Sequence, residues 1–221
     1  IMIAKNLIID DIPPIKPSET MEKALDWMDE FKISHLPVVD HKVYYGLVSD
    51  NMIYDFNDSN SPISKLKLIN FRPKVYEYEH LYKVMQVLSE LKLTTIPVTD
   101  KDDNYLGLIT LSFLMTTLAS STSFSEHGSV IILEINQIDY TLAQISQIIE
   151  SNDAKILSSY ISTIPNSKKV EVTIKTNKDN IDGILQTFTR YDYNVIAVFS
   201  DEKVMSEVKS RYEELMKYLN I

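Results

Sequence analysis

The sequence has no cysteine among its 221 residues and only four glycines. Without cysteine the chain forms no disulfide, thiolate metal site or cysteine nucleophile, which fits a reducing compartment such as the cytoplasm. The glycines, Gly46, Gly107, Gly128 and Gly183, lie far apart. Phosphate loops and dinucleotide-binding turns need clustered glycines, because their backbone N–H groups approach phosphate closely. The glycine spacing therefore argues against kinases, P-loop ATPases and Rossmann dehydrogenases.

Long apolar runs and basic patches are also missing. No apolar stretch approaches the length that spans a membrane, and the N-terminal residues lack the basic region and apolar core of a signal peptide. The net charge is −9, and both halves of the chain are mildly acidic, whereas nucleic-acid binding needs a basic surface. We therefore expect a cytoplasmic protein with neither nucleic acid nor membrane as a partner.

No group of residues has the spacing of a catalytic or metal site. The four histidines, His35, His41, His80 and His127, share no metal-ligand spacing. The acidic stretch at residues 100–104 lacks the glycine and the distal glutamate of a calcium loop. No serine occupies a nucleophile elbow. These observations predict that the chain is not an enzyme and carries no metal.

One pattern occurs twice in the first half of the chain. At an offset of 60 residues, "SHLPVVD" (34–40) aligns with "TTIPVTD" (94–100), and an offset of 61 aligns "GLVS" (46–49) with "GLIT" (107–110). Upstream of each copy, apolar residues recur at the i, i+3, i+4, i+7 spacing of one helix face. Ser18 is the predicted N-cap of the first helix. The pattern predicts a duplicated unit of helix, strand, turn, strand and helix.

Both copies resemble the CBS domain, named after cystathionine β-synthase. The family signature is a helix, then a hydrophobic residue before Pro-Val-Val/Thr-Asp, a turn, and Gly with two hydrophobic residues and Thr or Ser before a second helix. The copies span about residues 6–58 and 66–118, within a module of residues 1–120. The resemblance implies a pseudo-twofold pair with two clefts between the repeats. It also implies adenosine-type ligands, with AMP, ADP, ATP and S-adenosylmethionine as candidates, and assembly into homodimers.

The resemblance further implies which residues line the clefts. One set is Ile15, Lys16, Ser34, His35, Leu36 and Pro37, and the other is Val75, Tyr76, Thr94, Thr95, Ile96 and Pro97. Both copies keep the hydroxyl of the signature, as Ser49 and Thr110. The family's ribose contact is an acidic residue three positions later, and here Met52 and Phe113 stand in its place.

Two interpretations of these clefts remain open on the sequence. In one, a cleft binds an adenosine-type ligand weakly, through apolar walls, hydroxyls and backbone groups. In the other, Ser49 and Thr110 only cap helices, while Met52 and Phe113 fill clefts that no longer bind ribose. A buried polar group of the ligand that finds no partner costs about 1–3 kcal/mol.

The second half of the chain has a different pattern. Residues 121–128 are small and polar, which is typical of a linker. Residues 129–200 then alternate between strand and helix patterns in the order β-α-β-β-α-β, the ferredoxin-like arrangement. After a CBS pair, this order resembles an ACT domain, a regulatory module that often binds amino acids. Tyr140 stands where amino-acid-binding ACT domains usually have glycine, so dimerisation is the favoured role of this domain.

The last segment, residues 201–220, has the apolar stripe of an amphipathic helix. It would pack on its own sheet or reach a partner subunit. The predicted fold is thus α/β (α+β): a tandem CBS module, and an ACT-like ferredoxin fold over residues 129–221. The whole resembles the CBS–ACT proteins of the acetoin-utilization type. The predicted function is a non-catalytic sensor that passes a ligand signal to the second domain or to an unidentified regulated protein. The alternative is an interaction protein that acts through dimerisation.

Overall fold

The computed structural model describes residues 1–68, 72–120 and 122–200. The chain divides into two compact units, Ile1–Leu118 and Ala119–Ile221. The helices of the first unit are α1 (Met21–Glu30), α2 (Asp50–Phe56), α3 (Leu81–Glu90) and α4 (Leu111–Ala119). Its strands are β1 (His35–Asp40), β2 (Val43–Ser49), β3 (Val75–Tyr76), β4 (Thr95–Thr99) and β5 (Tyr105–Thr110).

The duplication predicted from the sequence is present in the strand geometry. Strand β1 pairs antiparallel with β2, and β4 pairs antiparallel with β5. Both pairs contain an irregularity in register at the same place, after Val38 in one and after Val98 in the other. The hairpin glycines Gly46 and Gly107 lie opposite these two valines, and both have positive φ. Two stretches that share the same strand pairing, turn and register irregularity are copies of one structural unit.

The first helix begins two residues later than the sequence predicts. Thr20, not Ser18, is the N-cap of α1, and its hydroxyl accepts the Lys23 N–H at 3.3 Å. The Met21 N–H donates to the Ser61 carbonyl at 3.0 Å. The prediction of Ser18 was wrong because a distant loop fixes where the helix starts, and both hydroxyl residues satisfy the local capping rule.

Each repeat contributes to the core of the other. Leu108, from the second repeat, packs in the cluster that contains Ile15, Leu36 and Met21. In turn, three residues of the first repeat pack in the cluster built around α3 and β4: Val39, Tyr44 and Leu47. A single repeat leaves part of its apolar surface uncovered, and two together close both cores. The repeats therefore share their cores, and elements of both lie around the space between them.

The second unit contains α5 (Thr122–Ser125), β6 (Val130–Asn136), α6 (Leu142–Glu150), β7 (Ile156–Thr163), β8 (Lys169–Thr176), α7 (Asp182–Arg190) and β9 (Asn194–Phe199). Its four strands form an antiparallel sheet in the order β7-β8-β6-β9. Alternate residues of β6 and β8, such as Leu133 and Val172, pack in a core with Ile145 and Phe188 from the two long helices. From β6 onward the elements follow the ferredoxin-like order.

Two other sequence predictions concern the second half. The segment predicted as a linker, residues 121–128, contains the single-turn helix α5. The amphipathic helix predicted for residues 201–220 lies outside the described residues.

Within residues 1–68, 72–120 and 122–200, no helix is both long and apolar enough to cross a membrane. The same residues contain no cluster of three or more histidines and carboxylates that could hold a metal ion.

Candidate functional site

A cleft of about 560 Å³ opens in the first unit, between elements of the two repeats. One wall is the start of α4, together with Thr94 and Thr110. The other wall is the N-terminal segment that contains Ile9, Asp11 and Ile12, together with the residues that follow α1. The volume lies within the usual range of small-molecule sites. The lining residues are Ile9, Asp11, Ile12, Phe31, Lys32, Ile33, Thr94, Thr110, Leu111, Ser112, Phe113, Met115 and Thr116.

Helix α4 presents its N-terminus to this cleft. The Thr110 hydroxyl accepts the Phe113 N–H at 3.1 Å, and the Leu111 N–H donates to the Thr94 carbonyl at 2.9 Å. Thr110 is almost fully buried, and the first turn of α4 contains no acidic residue. Because the N-terminus of a helix carries a partial positive charge, this wall favours an anionic group.

The opposite wall is held close by backbone contacts. The Ile9 N–H donates to the Leu108 carbonyl at 3.0 Å, which pins the N-terminal segment to β5. The end of α1 is closed by the Ile33 N–H, which donates to the Met28 carbonyl at 2.9 Å. Lys32 lies between these elements with a left-handed backbone, φ 54°, and its side chain borders the cleft. The N-terminal segment is thus fixed to β5, and Lys32 lies in the turn that closes α1.

The cleft contains one charge of each sign. Asp11 is the only carboxylate among its lining residues, and Lys32 is the only cation. The Lys32 ammonium also pairs with Asp29, at 2.9 Å. The remaining lining residues supply hydroxyls, from Thr94, Ser112 and others, and apolar surface. Such a lining can accept hydrogen bonds from hydroxyls, contact one anionic group and cover a flat apolar ring.

His35 joins the two repeats beside the cleft. Its Nδ1 lies 3.1 Å from the Thr94 hydroxyl and accepts the Thr94 N–H at 3.3 Å. The Thr94 hydroxyl accepts the Ser34 N–H at 2.9 Å, so its own proton is free to point at Nδ1. Nδ1 is therefore an acceptor, and the neutral ring carries its proton on Nε2. Burial lowers the pKa of His35 below its ordinary value, and Asp50 opposes this shift.

Three of the predicted ligand residues, Thr94, Thr110 and Phe113, line the cleft. Ser34 and His35 contact Thr94 at the junction, and the Thr95 hydroxyl donates to the His35 carbonyl at 2.8 Å. Ser49 caps α2 by accepting the Met52 N–H at 3.3 Å. The other predicted residues do not line the cleft. Four are fully buried core side chains, Ile15, Leu36, Val75 and Ile96, and two are buried strand prolines, Pro37 and Pro97. Lys16 is exposed, and Met52 and Tyr76 are partly buried.

The buried residues differ from the expectation for a physical reason. Strands β1 and β4 are covered on both faces, so Leu36 and Ile96 have no exposed side-chain surface. The fully buried Thr95 hydroxyl is already paired with a backbone carbonyl. A ligand could approach these residues only through their backbone. Their role as ligand contacts stays a prediction.

Sequence reasoning missed most of the cleft wall. Phe31, Lys32 and Ile33 follow α1 and come immediately before the predicted set, and Ser112 follows the signature threonine by two residues. Their closeness in sequence to predicted residues was a signal that could have found them. Asp11 gave no such signal, because its position depends on the pairing of Ile9 with Leu108, 99 residues apart.

The second unit contains a smaller, polar pocket of about 310 Å³. Glu134 lies in it and accepts the Lys169 ammonium at 2.7 Å and the Asn194 amide at 3.1 Å. The Lys169 hydrogen bond holds the pKa of Glu134 below its ordinary value. Tyr140, which replaces the glycine expected of an amino-acid-binding domain, packs against the core of this unit.

Comparison with known proteins gives a family match in the first unit. The CBS domain model matches residues 4–56 and 70–112. A CBS domain-containing protein of Bacillus subtilis (strain 168), YhcV, is 21% identical over 127 residues, which are 54% of this chain and 87% of that protein.

Two solved structures are also similar. One is a CBS domain pair/ACT domain protein from Thermotoga maritima, with 22% identity and a TM-score of 0.47, matching 55% of this chain and 99% of that one. The other is a putative acetoin utilization protein from Vibrio cholerae, with 21% identity and a TM-score of 0.47, matching 53% and 91%.

The first unit contains two copies of one α+β unit with the same hairpin geometry and a cleft between them. These features define a class of protein in which paired small domains enclose a ligand-sized space. The family model matches both repeats, so the first part of this chain is similar to a tandem pair of CBS domains.

Proposed function

We propose that this chain is a non-catalytic regulatory protein whose CBS pair binds an adenosine-type ligand in the cleft at α4. Proteins with CBS domain pairs are generally regulatory and bind adenosine ligands, and a solved CBS structure of similar fold, CBSX2, is described as a complex with AMP. The ligand would shift the balance between two arrangements of the repeats, and the second domain or a partner protein would respond to that shift.

The observation that carries this proposal is the open cleft. Phe113, which replaces the acidic ribose contact, is 38% exposed, so it borders the space without filling it. Met115, one helical turn away from Leu111, is also exposed at the same wall. A self-filled cleft would bury these side chains. Their exposure favours the binding interpretation over the interaction-only alternative.

The lining residues suggest how the ligand lies. The Asp11 carboxylate would accept hydrogen bonds from the ribose hydroxyls, the role that Met52 and Phe113 cannot take. Apolar surface from Ile12, Phe113 and their neighbours would cover the base. The anionic group would then lie towards Lys32 and the start of α4.

We also propose that the chain forms a homodimer. Helices α2 and α4 expose large apolar side chains, among them Tyr54, Phe56 and Met115. Large exposed apolar side chains that form a patch are typical of protein interfaces. The ACT-like role of the second unit belongs to the same proposal, with dimerisation favoured over amino-acid binding. Sedimentation equilibrium measures the mass directly, and a monomer at tens of micromolar would contradict this part.

Isothermal titration of the full chain with AMP, ADP, ATP and S-adenosylmethionine tests the proposed ligand class. We expect saturable binding of at least one of these compounds. A ligand at about 100 times its dissociation constant should stabilise the protein by about 2.7 kcal/mol, visible as a rise in melting temperature. The absence of binding and of any rise with all four would refute the sensor function and leave the interaction protein.

A further inference from the structure

Helices α6 and α7 cover one face of the sheet in the second unit. Ile145 and Phe188 of these helices share a core with Leu133 of β6 and Val172 of β8. We call this side of the sheet the inner face and the opposite side the outer face. The single-turn helix α5 lies close to β7, at the edge of the sheet farthest from β9. The core that α6 and α7 form therefore accounts for the inner face only.

The outer face is apolar along β6 and β9. Ile132 lies opposite Ala197, and Val130 lies opposite Phe199. Residues directly opposite each other in paired strands point to the same side of the sheet, and these four alternate with core residues of their strands. Among the described residues, none of the four packs in the core of this unit, and Phe199 is 60% exposed. We call these four residues the outer patch.

Strand β8, in contrast, is polar on the outer face. Its outward residues are Glu171, Thr173 and Lys175, and they alternate with apolar residues of the core. An antiparallel strand with one face in water alternates in this way. In β6 and β9, "VIIL" (130–133) and "VIAVF" (195–199) are continuous apolar runs, a pattern that indicates strands covered on both faces. The sequence of β6 and β9 thus predicts a second cover, over the outer patch.

The chain continues directly from the outer patch into residues 201–220. Strand β9 ends at Phe199, and connections of about two to six residues commonly join a strand to a helix in folds of this kind. The apolar stripe of the segment has the spacing of one helix face and consists of Val204, Val208, Tyr212, Leu215 and Leu219. Such a helix would extend about 24 Å from Val204 to Leu219, and the seven residues of β6 also extend about 24 Å. The stripe therefore has the length and the starting point to lie along β6 and β9.

We propose that residues 201–220 form a helix whose apolar stripe covers the outer patch of the same chain. A connection of a few residues keeps the segment beside the patch, so its effective concentration there is about millimolar, far above that of a second copy in a micromolar solution. The outer patch is then closed to other proteins, and a homodimer would use surfaces elsewhere, such as those of α2 and α4. The inference does not depend on a ligand in the cleft.

Because the chain has no cysteine of its own, introduced cysteines test this contact directly. In the full chain, Ile132→Cys is combined in turn with Val204→Cys, Val208→Cys and Leu215→Cys, and a short bismaleimide links thiols that lie close together. Ser210→Cys is the matched control, because position 210 lies about 200° around a helix from position 208. We expect a link within one chain for at least one stripe variant, and a yield at least about fivefold lower with Ser210→Cys. The mass of the linked product separates a link within one chain from a link between chains.

The reaction rate of the Ile132→Cys thiol with a soluble thiol reagent measures the cover without a cross-linker. Adding Val208→Asp places a charge in the apolar stripe and should raise this rate about tenfold or more, because a buried unpaired charge is unfavourable and the thiol becomes accessible. Adding Ser210→Asp, on the opposite side of the helix, should leave the rate within about twofold. Leu133→Cys is the control for folding, because Leu133 is fully buried on the inner face and its thiol should stay slow in both backgrounds.

Three outcomes would overturn the inference. Links found only between chains would assign the outer patch to the segment of a second copy. No link with any stripe variant, or an equal yield with Ser210→Cys, would separate the stripe from the patch. An Ile132→Cys rate that is the same with and without Val208→Asp would leave the patch open to solvent. If Val208→Asp unfolded the unit and exposed Leu133→Cys as well, the cross-links in the intact stripe would decide. Because none of these measurements involves a ligand, the proposed nucleotide binding can fail while this inference stands, and the reverse.

Discussion

Replacing Gly107 by alanine should destabilise the first unit and disturb the wall of the cleft. Gly107 lies in β5 with φ 154°, a backbone conformation that residues with a Cβ atom rarely adopt. A Cβ atom at this position would overlap the Cγ2 atom of Ile8, with the Ile8 Cβ atom only 3.6 Å away. Ile8 precedes Ile9, whose N–H pins the N-terminal segment to Leu108. The glycine therefore allows the segment that carries Asp11 to lie against β5.

The expected cost has two parts. The unfavourable backbone conformation costs about 1–3 kcal/mol. Displacing Ile8, which packs against a buried cluster, adds about 1–3 kcal/mol of overpacking. Gly107→Ala should thus lower the free energy of unfolding by about 2–6 kcal/mol. Because Ile8 must move, we also expect weaker ligand binding in any variant that remains folded.

Urea denaturation followed by tryptophan fluorescence measures this effect in the first unit alone. The chain has a single tryptophan, Trp27, which lies on α1. A double-mutant cycle with Ile8→Ala separates the two parts, because the shorter side chain removes the overlap and leaves the backbone cost. The double variant should therefore be more stable, by about 1–3 kcal/mol, than the sum of the two single effects predicts.

Two results would refute this reasoning. A loss of less than about 1 kcal/mol in Gly107→Ala would mean that neither the backbone nor Ile8 resists a Cβ atom there. A coupling energy below about 0.5 kcal/mol would mean that the contact with Ile8 is unimportant and that the cost is entirely conformational.

Three further predictions concern the cleft, the junction and the core. Lys32→Ala should weaken AMP binding about threefold to tenfold by titration calorimetry, because it removes the only cation of the cleft lining. The His35 pKa is lower in the folded protein than in the unfolded chain, so the unfolded chain binds more protons. Stability to urea should be full above about pH 6.5 and fall as the pH is lowered from there, more steeply than in His35→Gln. Tyr44→Phe should cost about 1–3 kcal/mol of unfolding free energy, because the buried Pro73 carbonyl loses the hydroxyl that donates to it at 2.8 Å.

Each of these predictions has a control in the repeat or beside the residue. Lys92 is equivalent to Lys32 and has the same backbone conformation, and Lys92→Ala should not change AMP binding. Equal effects of the two lysine variants would contradict the assignment of the cleft. A pH profile that is unchanged in His35→Gln would assign the titration to another group. Tyr45 is exposed, and Tyr45→Phe should be neutral, so equal losses in both tyrosine variants would contradict the role of the hydrogen bond.

Much of the architecture follows from the local sequence. The offset of 60 residues between "HLPVVD" and "TIPVTD" predicted two equivalent units, because strands and helices of the same pattern bury the same faces. The alternation of Val170, Val172 and Ile174 predicted β8, and these residues are buried in the second core. The cap residues Ser49 and Thr110 were also predictable, because a capping hydroxyl acts within three residues of its own position.

Contacts between distant residues decided what local sequence could not. Ser18 and Thr20 both satisfy the capping rule, and backbone bonds to the loop of residues 59–63, such as that from Met21 to Ser61, select Thr20. Leu36 and Ile96 belong to the motif that resembles ligand-binding domains, yet helices and the other repeat cover them completely.

The sequence by itself determined that this protein is built from a duplicated unit, because a repeated pattern of apolar and turn residues imposes a repeated local structure. Only the tertiary structure decided where a ligand could bind. The cleft brings Asp11 and Lys32 to one side and Ser112 to the other. The position of Asp11 depends on the backbone bond between Ile9 and Leu108, which joins residues at opposite ends of the module and which no local pattern predicts.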